Sequence, residues 1–252
     1  MGEPVRKKIA ETGRPANRAA SRTKMESLVE LVAPGSWESP PQCGTLTMLV
    51  HTGPVSSQSV TSGKSLFRAN VQSVSRRFKY FLTGDVKIDI EWGIHEQDRY
   101  ESNRYPDLDN ILKALLDTLC GPEGVLLDDC QIQEIGCRWI DSHVHDQYVR
   151  IEIRFLPGEF QKKKGFVFVH LANGLCTPFN TAAKPAVLLL LLDRLATMLT
   201  TRSELMKSGL DYYLARGVMS IQRVFHRGHL SRFSVREIDA LRSDLKRRSG
   251  RR

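Results

Sequence analysis

The sequence lacks the marks of an oxidising or membrane environment. Its 252 residues include five cysteines (Cys43, Cys120, Cys130, Cys137, Cys176), an odd number with no C-x-x-C pair. That pattern speaks against a disulfide scaffold and a zinc knuckle, and for a reducing compartment. The opening stretch, MGEPVRKKIAETGRPANRAASRTK, is polar. It offers no hydrophobic core for a secretory leader, so none is expected. Long apolar runs are missing too: the longest, Ala186–Leu192, is ended by Asp193 and Arg194. A bilayer span needs about 20 apolar residues, so no membrane element is expected. No internal repeat is visible.

One further absence is local. Residues 46–84 carry five basic side chains and no acid, whereas residues 85–160 carry 7 basic and 17 acidic ones. The chain as a whole is basic, at +9, which points to a polyanionic partner without identifying it. The excess sits at the end: residues 161–252 hold 18 basic and 6 acidic groups, while residues 46–160 are net −5. With 41% hydrophobic and 26% charged residues, the composition is that of a globular protein with a sizeable core.

Residues 1–45, rich in Pro, Gly, Ser and mixed charge, read as a flexible arm with a short helix around Lys24–Val32. Leu46–His51 reads as a strand. Lys64–Leu82 fits a helix whose Phe67, Val71, Val74, Phe78 and Phe81 form one stripe. On that helix Lys64, Arg68 and Lys79 fall close together beside the stripe. Asp85–Ile94 alternates strictly and reads as a strand with one charged face. After a polar loop, a helix runs from Asp107 to about Cys120, with Ile111, Leu112, Leu115, Leu116 and Leu119 at helical spacing. Gly121 stops it. Ile132–Ile140 and Val149–Phe155 read as strands. Phe166–His170 reads as one more. From Lys184 the chain reads helical, ending in a helix over Ser231–Arg248. The order of strands and helices up to residue 160 gives a mixed sheet, in the α/β or α+β class.

Chemistry concentrates between Asp107 and Asp129. Asp107 and Asp109 are two apart, which places both carboxylates on one side of an extended helix entry. Like charges held together raise one pKa, and a hard divalent cation relieves that conflict. Read alone, Asp107 is equally a helix N-cap and Asp109 a complement to the helix dipole. Asp128 and Asp129 follow a glycine-containing turn. In extended chain they point to opposite sides, so one of them is expected to join the first pair. Lys113 lies four residues after Asp109 on the same face, as an ion-pair partner or as an ammonium for phosphate. Asp117 continues that row and reads as structural.

The string YPDLDNILKALLDTLCGPEGVLLDDCQI, residues 105–132, resembles the signature of RusA-family Holliday junction resolvases. Its elements are Asp107-Leu108-Asp109-Asn110, Lys113, the turn with Gly124, Asp128-Asp129, and Gln131-Ile132. The resemblance implies an α+β fold with a RusA-like mixed sheet and two helices over 46–160. The flanks, 1–45 and 161–252, have no counterpart in it, and 161–252 reads from its own pattern and charge as a basic, mostly helical extension. It implies a homodimeric Mg²⁺-dependent endodeoxyribonuclease, with Mn²⁺ as a substitute ion, acting on branched DNA in a bacterial or phage setting in the cytoplasm. Carried over by position, Asp107, Asp109 and Asp129 bind metal and Lys113 is the essential lysine. Where the family often has a Pro-Ser-Asn-Arg-like stretch, this chain reads Gly53–Ser59 with no basic residue.

Lys64, Arg68, Arg76, Arg77 and Lys79 are candidates for tracking a phosphate backbone. The basic C-terminal residues, Lys246 to Arg248 and Arg251-Arg252, add DNA affinity or form a solvated tail, and the extension could equally dock a protein partner. His143, His145 and Asp146 form an H-x-H-D group without further ligand spacing. Two other readings stand beside junction resolution: a metal nuclease for flaps or forks, and a noncatalytic DNA-binding protein on the same scaffold.

Overall fold

The computed structural model describes residues 36–56, 59, 61–101, 107–143, 146–219 and 223–249. The expected arm helix at Lys24–Val32 lies outside them. In chain order the elements are β1 (Thr45–Val50), α1 (Thr61–Ser75), β2 (Tyr80–Leu82), β3 (Val86–His95), α2 (Glu96–Tyr100), α3 (Leu108–Leu119), β4 (Ile132–Ser142), β5 (Tyr148–Phe155), β6 (Phe160–Lys162), β7 (Phe166–Ala172), β8 (Leu175–Asn180), α4 (Pro185–Lys207), α5 (Tyr212–Gly217), β9 (Phe225–His226), β10 (Val235–Glu237) and α6 (Ile238–Ser249). The fold is mixed α+β.

The first sheet has the order β1-β5-β3-β4, with β3 and β4 parallel and the other pairs antiparallel. Strict alternation makes β3 its centre. Val86, Ile88, Ile90, Trp92 and Ile94 are each at 1% exposure or less. The opposite face is charged, and opposite charges meet there directly across the register or diagonally. Glu91 lies across from both Arg150 and Arg138 and pairs with both; Asp89 pairs with Arg154. Hydrogen bonds from those two arginines hold the Glu91 carboxyl below the usual range. The buried face packs against α1 and α3. Phe67 on α1 stacks on Trp92, with centroids 6.2 Å apart.

The helix expected over Lys64–Leu82 ends at Ser75. Phe78, Tyr80, Phe81 and Leu82 are all buried, and one helix would scatter them around most of its circumference. An extended β2 buries them on both faces and pairs antiparallel with β6. Lys79 is therefore not on the helical face of Lys64 and Arg68. The loop expected after Ile94 contains the short helix α2.

The C-terminal region is not only helical. It holds a second four-stranded sheet, ordered β10-β7-β8-β9. The β7–β8 hairpin turns at Asn173 and Gly174, both at positive φ (53° and 74°), the two-residue turn that Asn-Gly favours. The final helix begins at Ile238 rather than Ser231, because Val235–Glu237 pairs in parallel with Phe168–His170. Leu188, Leu192 and Leu195 of α4 pack with Leu241 and Leu245 of α6 over Val169 and Phe179. A third cluster joins the two halves: Phe81 and Leu127 pack with Phe168, Cys176, Phe225 and Leu230. Among the described residues, no helix is long and apolar enough to cross a membrane.

Candidate active site

Helix α3 is held by Ile111, Leu115 and Leu119, each fully buried, which leaves its outer face to Asp109, Lys113 and Asp117. Asp107 occupies the N-cap position, but its side chain makes no capping hydrogen bond. Its carboxylate is exposed, as is that of Asp109 in the first turn. Lys113 Nζ stands 3.5 Å from Asp117 Oδ1, a pair exposed enough to contribute little stability. Eight residues separate Asp109 from Asp117, so the row of charge extends about 12 Å along the helix.

A tight turn follows α3. Gly121 adopts φ +91°, and a Cβ at Gly124 would sit 1.9 Å from the Leu119 carbonyl oxygen. Both positions therefore require glycine. The Ser75 hydroxyl donates to the Glu123 carbonyl at 2.9 Å, tying the turn to the end of α1. The chain then reaches Asp128, whose extended backbone (φ −156°, ψ 152°) caps a 3₁₀ turn at Asp129–Gln131. The Cys130 N–H donates to Asp128 Oδ1 at 3.1 Å. Gln131 is fully buried. Its Oε1 accepts from the Leu127 and Asp128 amides at 2.7 and 3.1 Å, and its Nε2 donates to the Leu82 and Gly84 carbonyls at 3.0 and 2.7 Å. One side chain thus locks the acidic turn to the β2–β3 connection.

Because Asp129 opens a 3₁₀ turn instead of continuing an extended strand, the two adjacent aspartates do not diverge. Asp128, Asp129 and His229 each offer a ligand atom, all within 4.8 Å of one another. They line a cleft of about 400 Å³ together with Arg68, Asp117 and Arg232. His229 Nδ1 lies 3.3 Å from Asp128 Oδ1. Arg232 Nη1 donates to the Cys120 carbonyl at 3.1 Å, placing a cation at the negative end of α3. Two carboxylates and an imidazole suit a divalent ion, and the flanking guanidinium groups suit a phosphate. Burial, reinforced by the neighbouring Asp128 and Asp129, pushes the Cys120 thiol up and the Cys130 thiol up to about 12. Both sulfurs stay protonated at neutral pH and are poor nucleophiles.

Asp107 and Asp109 are not members of this close group; they stand at the opposite end of α3. Of the five candidate DNA contacts, Arg68 lines the cleft, and Lys64 lies one turn before it on α1. Arg76 pairs with Glu123 and Arg77 stacks over Trp37 at 4.0 Å. Asp146 pairs with His51 Nδ1 at 2.7 Å, and His145 lies outside the described residues. Arg247 pairs with Asp244, whereas Arg251 and Arg252 lie outside the described residues. The side chains that sequence spacing missed are His229, Arg232 and Arg223. They are about a hundred residues from Asp129, and no ligand spacing links them to it.

An acidic turn beside guanidinium groups, on a mixed sheet covered by two helices, offers donors for a divalent ion and cations for a phosphate. Comparison with known proteins bears on this part of the chain: residues 51–155 match the family model described as endodeoxyribonuclease RusA. No curated protein gives a match to the chain. The family comprises endodeoxyribonucleases of the Holliday junction resolvase type that depend on a divalent metal, and the donor set of the acidic turn is of the kind such an ion takes.

Proposed function

We propose that the protein is a divalent-metal-dependent, structure-selective endodeoxyribonuclease that nicks Holliday junctions or related branched DNA. The observation that carries this reading is the Asp128–Asp129–His229 group at a cleft flanked by Arg68 and Arg232, inside a RusA-family segment. Asp129 and Asp128 hold a Mg²⁺ ion, with Mn²⁺ as a substitute. When bound, the ion supplies Lewis-acid polarisation of the scissile phosphate and lowers the pKa of a water molecule. The chain's own residues do the positioning. Gln131 keeps the acidic turn rigid. Arg68 and Arg232 offset the repulsion that seventeen acids between residues 85 and 160 exert on phosphate.

Asp107, Asp109 and Lys113 lie on the exposed face of α3 outside the Asp128–Asp129–His229 group, so they take no part in holding that ion. We assign the two carboxylates to a second ion and Lys113 to phosphate farther along the bound DNA. Lys64 and Arg68 on α1, with Arg76, Arg77 and Lys79 after it, contact the DNA backbone. The protein acts as a homodimer, because a four-way junction is two-fold symmetric and a two-fold dimer offers it two equivalent sites. Its setting is the cytoplasm of a bacterium or phage-infected cell.

The test is a substrate panel: four-way junction, fork, flap, duplex and single strand, each with and without Mg²⁺. Expected is metal-dependent nicking of the junction and a loss of at least a hundredfold in Asp129→Asn. Equal cutting by both proteins removes Asp129 from the site. Junction retardation with no metal-dependent product at any pH assigns the protein to noncatalytic binding.

A further inference from the structure

His229 comes from outside the segment that matches the family, yet it stands within 4.8 Å of the acidic turn. Its placement is enforced from both sides. It ends a 3₁₀ turn, Arg227–His229, between Phe225 and Leu230, each at 1% exposure. Those two side chains pack in one cluster with Leu127, the residue immediately before Asp128. The same small core therefore fixes the backbone of the acidic turn and the backbone that carries the imidazole. Two further contacts brace the arrangement. Arg223 donates to the Cys130 carbonyl, one residue past Asp129, and pairs with Asp85. Arg232 donates to the Cys120 carbonyl at the end of α3.

The contact to Asp128 is 3.3 Å and the imidazole is half exposed, so as an ion pair it contributes little stability and leaves the ring free to turn toward a shared ion. As a ligand the residue makes chemical sense. The two carboxylates and the imidazole each bring a ligand atom within 4.8 Å of the others, so one divalent ion could be held by all three.

We propose that the C-terminal region completes the metal site in cis through His229, and that this imidazole shifts the site's preference from Mg²⁺ toward a first-row transition ion such as Mn²⁺. Imidazole suits the later first-row ions best, and Mn²⁺, although it otherwise shares the oxygen sites of Mg²⁺, accepts a nitrogen donor more readily than Mg²⁺, which keeps its oxygen ligands and waters. A site of Asp128 and Asp129 alone is built for Mg²⁺; adding one nitrogen donor favours its competitors. The proposal rests on the metal-nuclease reading of the same cleft.

The experiment measures Mn²⁺ binding to the full chain by electron paramagnetic resonance of the free ion, with Mg²⁺ as competitor and no DNA. The variants are His229→Ala, His229→Gln and Asp129→Asn. Expected is at least a tenfold weaker Mn²⁺ affinity in His229→Ala with less than a threefold change for Mg²⁺, and an intermediate value in His229→Gln. Asp129→Asn should lose both ions. If Asp129→Asn abolishes binding while His229→Ala keeps the wild-type Mn²⁺ affinity and Mn²⁺/Mg²⁺ ratio, the role of His229 falls and the nuclease reading stands. If Mn²⁺ binding is indifferent to Asp129→Asn, both fall. Melting without metal checks folding: His229 is a solvated side chain, so its variants should melt within a few degrees of wild type.

Discussion

Gln131→Leu tests whether the acidic turn is held in shape by one buried amide. Leucine fills similar volume but offers no polar atom. The substitution strands two amides, of Leu127 and Asp128, and two carbonyls, of Leu82 and Gly84. Leu82 and Leu127 are at 0% and 2% exposure, so water cannot easily replace the lost partners. At about 1 kcal/mol net for each of the four bonds, the loss is about 4 kcal/mol. For a chain of this size that lowers the melting temperature by roughly 10 °C. Gln131→Glu should behave differently. One oxygen still accepts from the two amides, but the other now faces two carbonyl oxygens. The folded state then favours the protonated acid, so its pKa lies above the unfolded value. Its stability is greatest at low pH and falls as pH rises through the folded-state pKa. The assay is urea unfolding followed by tryptophan fluorescence, with Trp92 as a buried reporter, run beside junction cleavage under conditions where each variant is folded. Cleavage should fall about a hundredfold in Gln131→Leu, the cost of an ångström-scale misplacement of reacting groups. A loss under about 1 kcal/mol with wild-type cleavage would refute the idea that Gln131 holds the turn.

Arg223→Met removes the pair to Asp85 and the bond to the Cys130 carbonyl. Urea unfolding should show a loss of about 1.5–3 kcal/mol, the range for a charged hydrogen bond, and metal affinity should weaken with it. Unchanged values in both measurements would detach Arg223 from the site. Lys163 is partly buried with its ammonium 4.9 Å from the Phe81 ring, and burial pushes its pKa down to about 8. The unfolded chain, with an ordinary lysine pKa near ~10.4, binds that proton more tightly. Stability should therefore rise with pH between about 8 and 10, and Lys163→Met should flatten that rise. Parallel urea midpoints for the two proteins across that interval would contradict it.

The parts of the fold legible in the sequence were those whose burial is one-sided. β3 alternates because one face meets α1 and α3 and the other meets a charged row. α3 shows a helical period because only one stripe of it is buried. The signal misled where a period continued by coincidence: Phe78 and Phe81 fit the stripe of α1 but belong to the turn and β2. β4 was legible as a strand although its Ile135 is 41% exposed, because it is an edge strand with less cover. The C-terminal sheet was hard to read because β9 and β10 are two and three residues long and β8 contains Pro178. Only Phe166–His170, at the start of β7, was legible as a strand.

For the candidate site the division is similar. A glycine turn followed by paired aspartates and a glutamine is a local arrangement, and the sequence by itself determined it: Gly121, Gly124, Asp128, Asp129 and Gln131 lie within eleven residues. The 3₁₀ turn that keeps the two aspartates from diverging was not legible, and Gln131 finds two of its four partners, the Leu82 and Gly84 carbonyls, far along the chain. What meets them was decided by tertiary structure. His229 and Arg232 reach the cleft because Phe225 and Leu230 are buried against Phe81 and Leu127, a long-range apolar contact that does not depend on sequence spacing. Hydrophobic burial is non-directional and ignores distance along the chain. It can therefore bring a histidine beside an aspartate a hundred residues away and leave no pattern in the sequence to announce it.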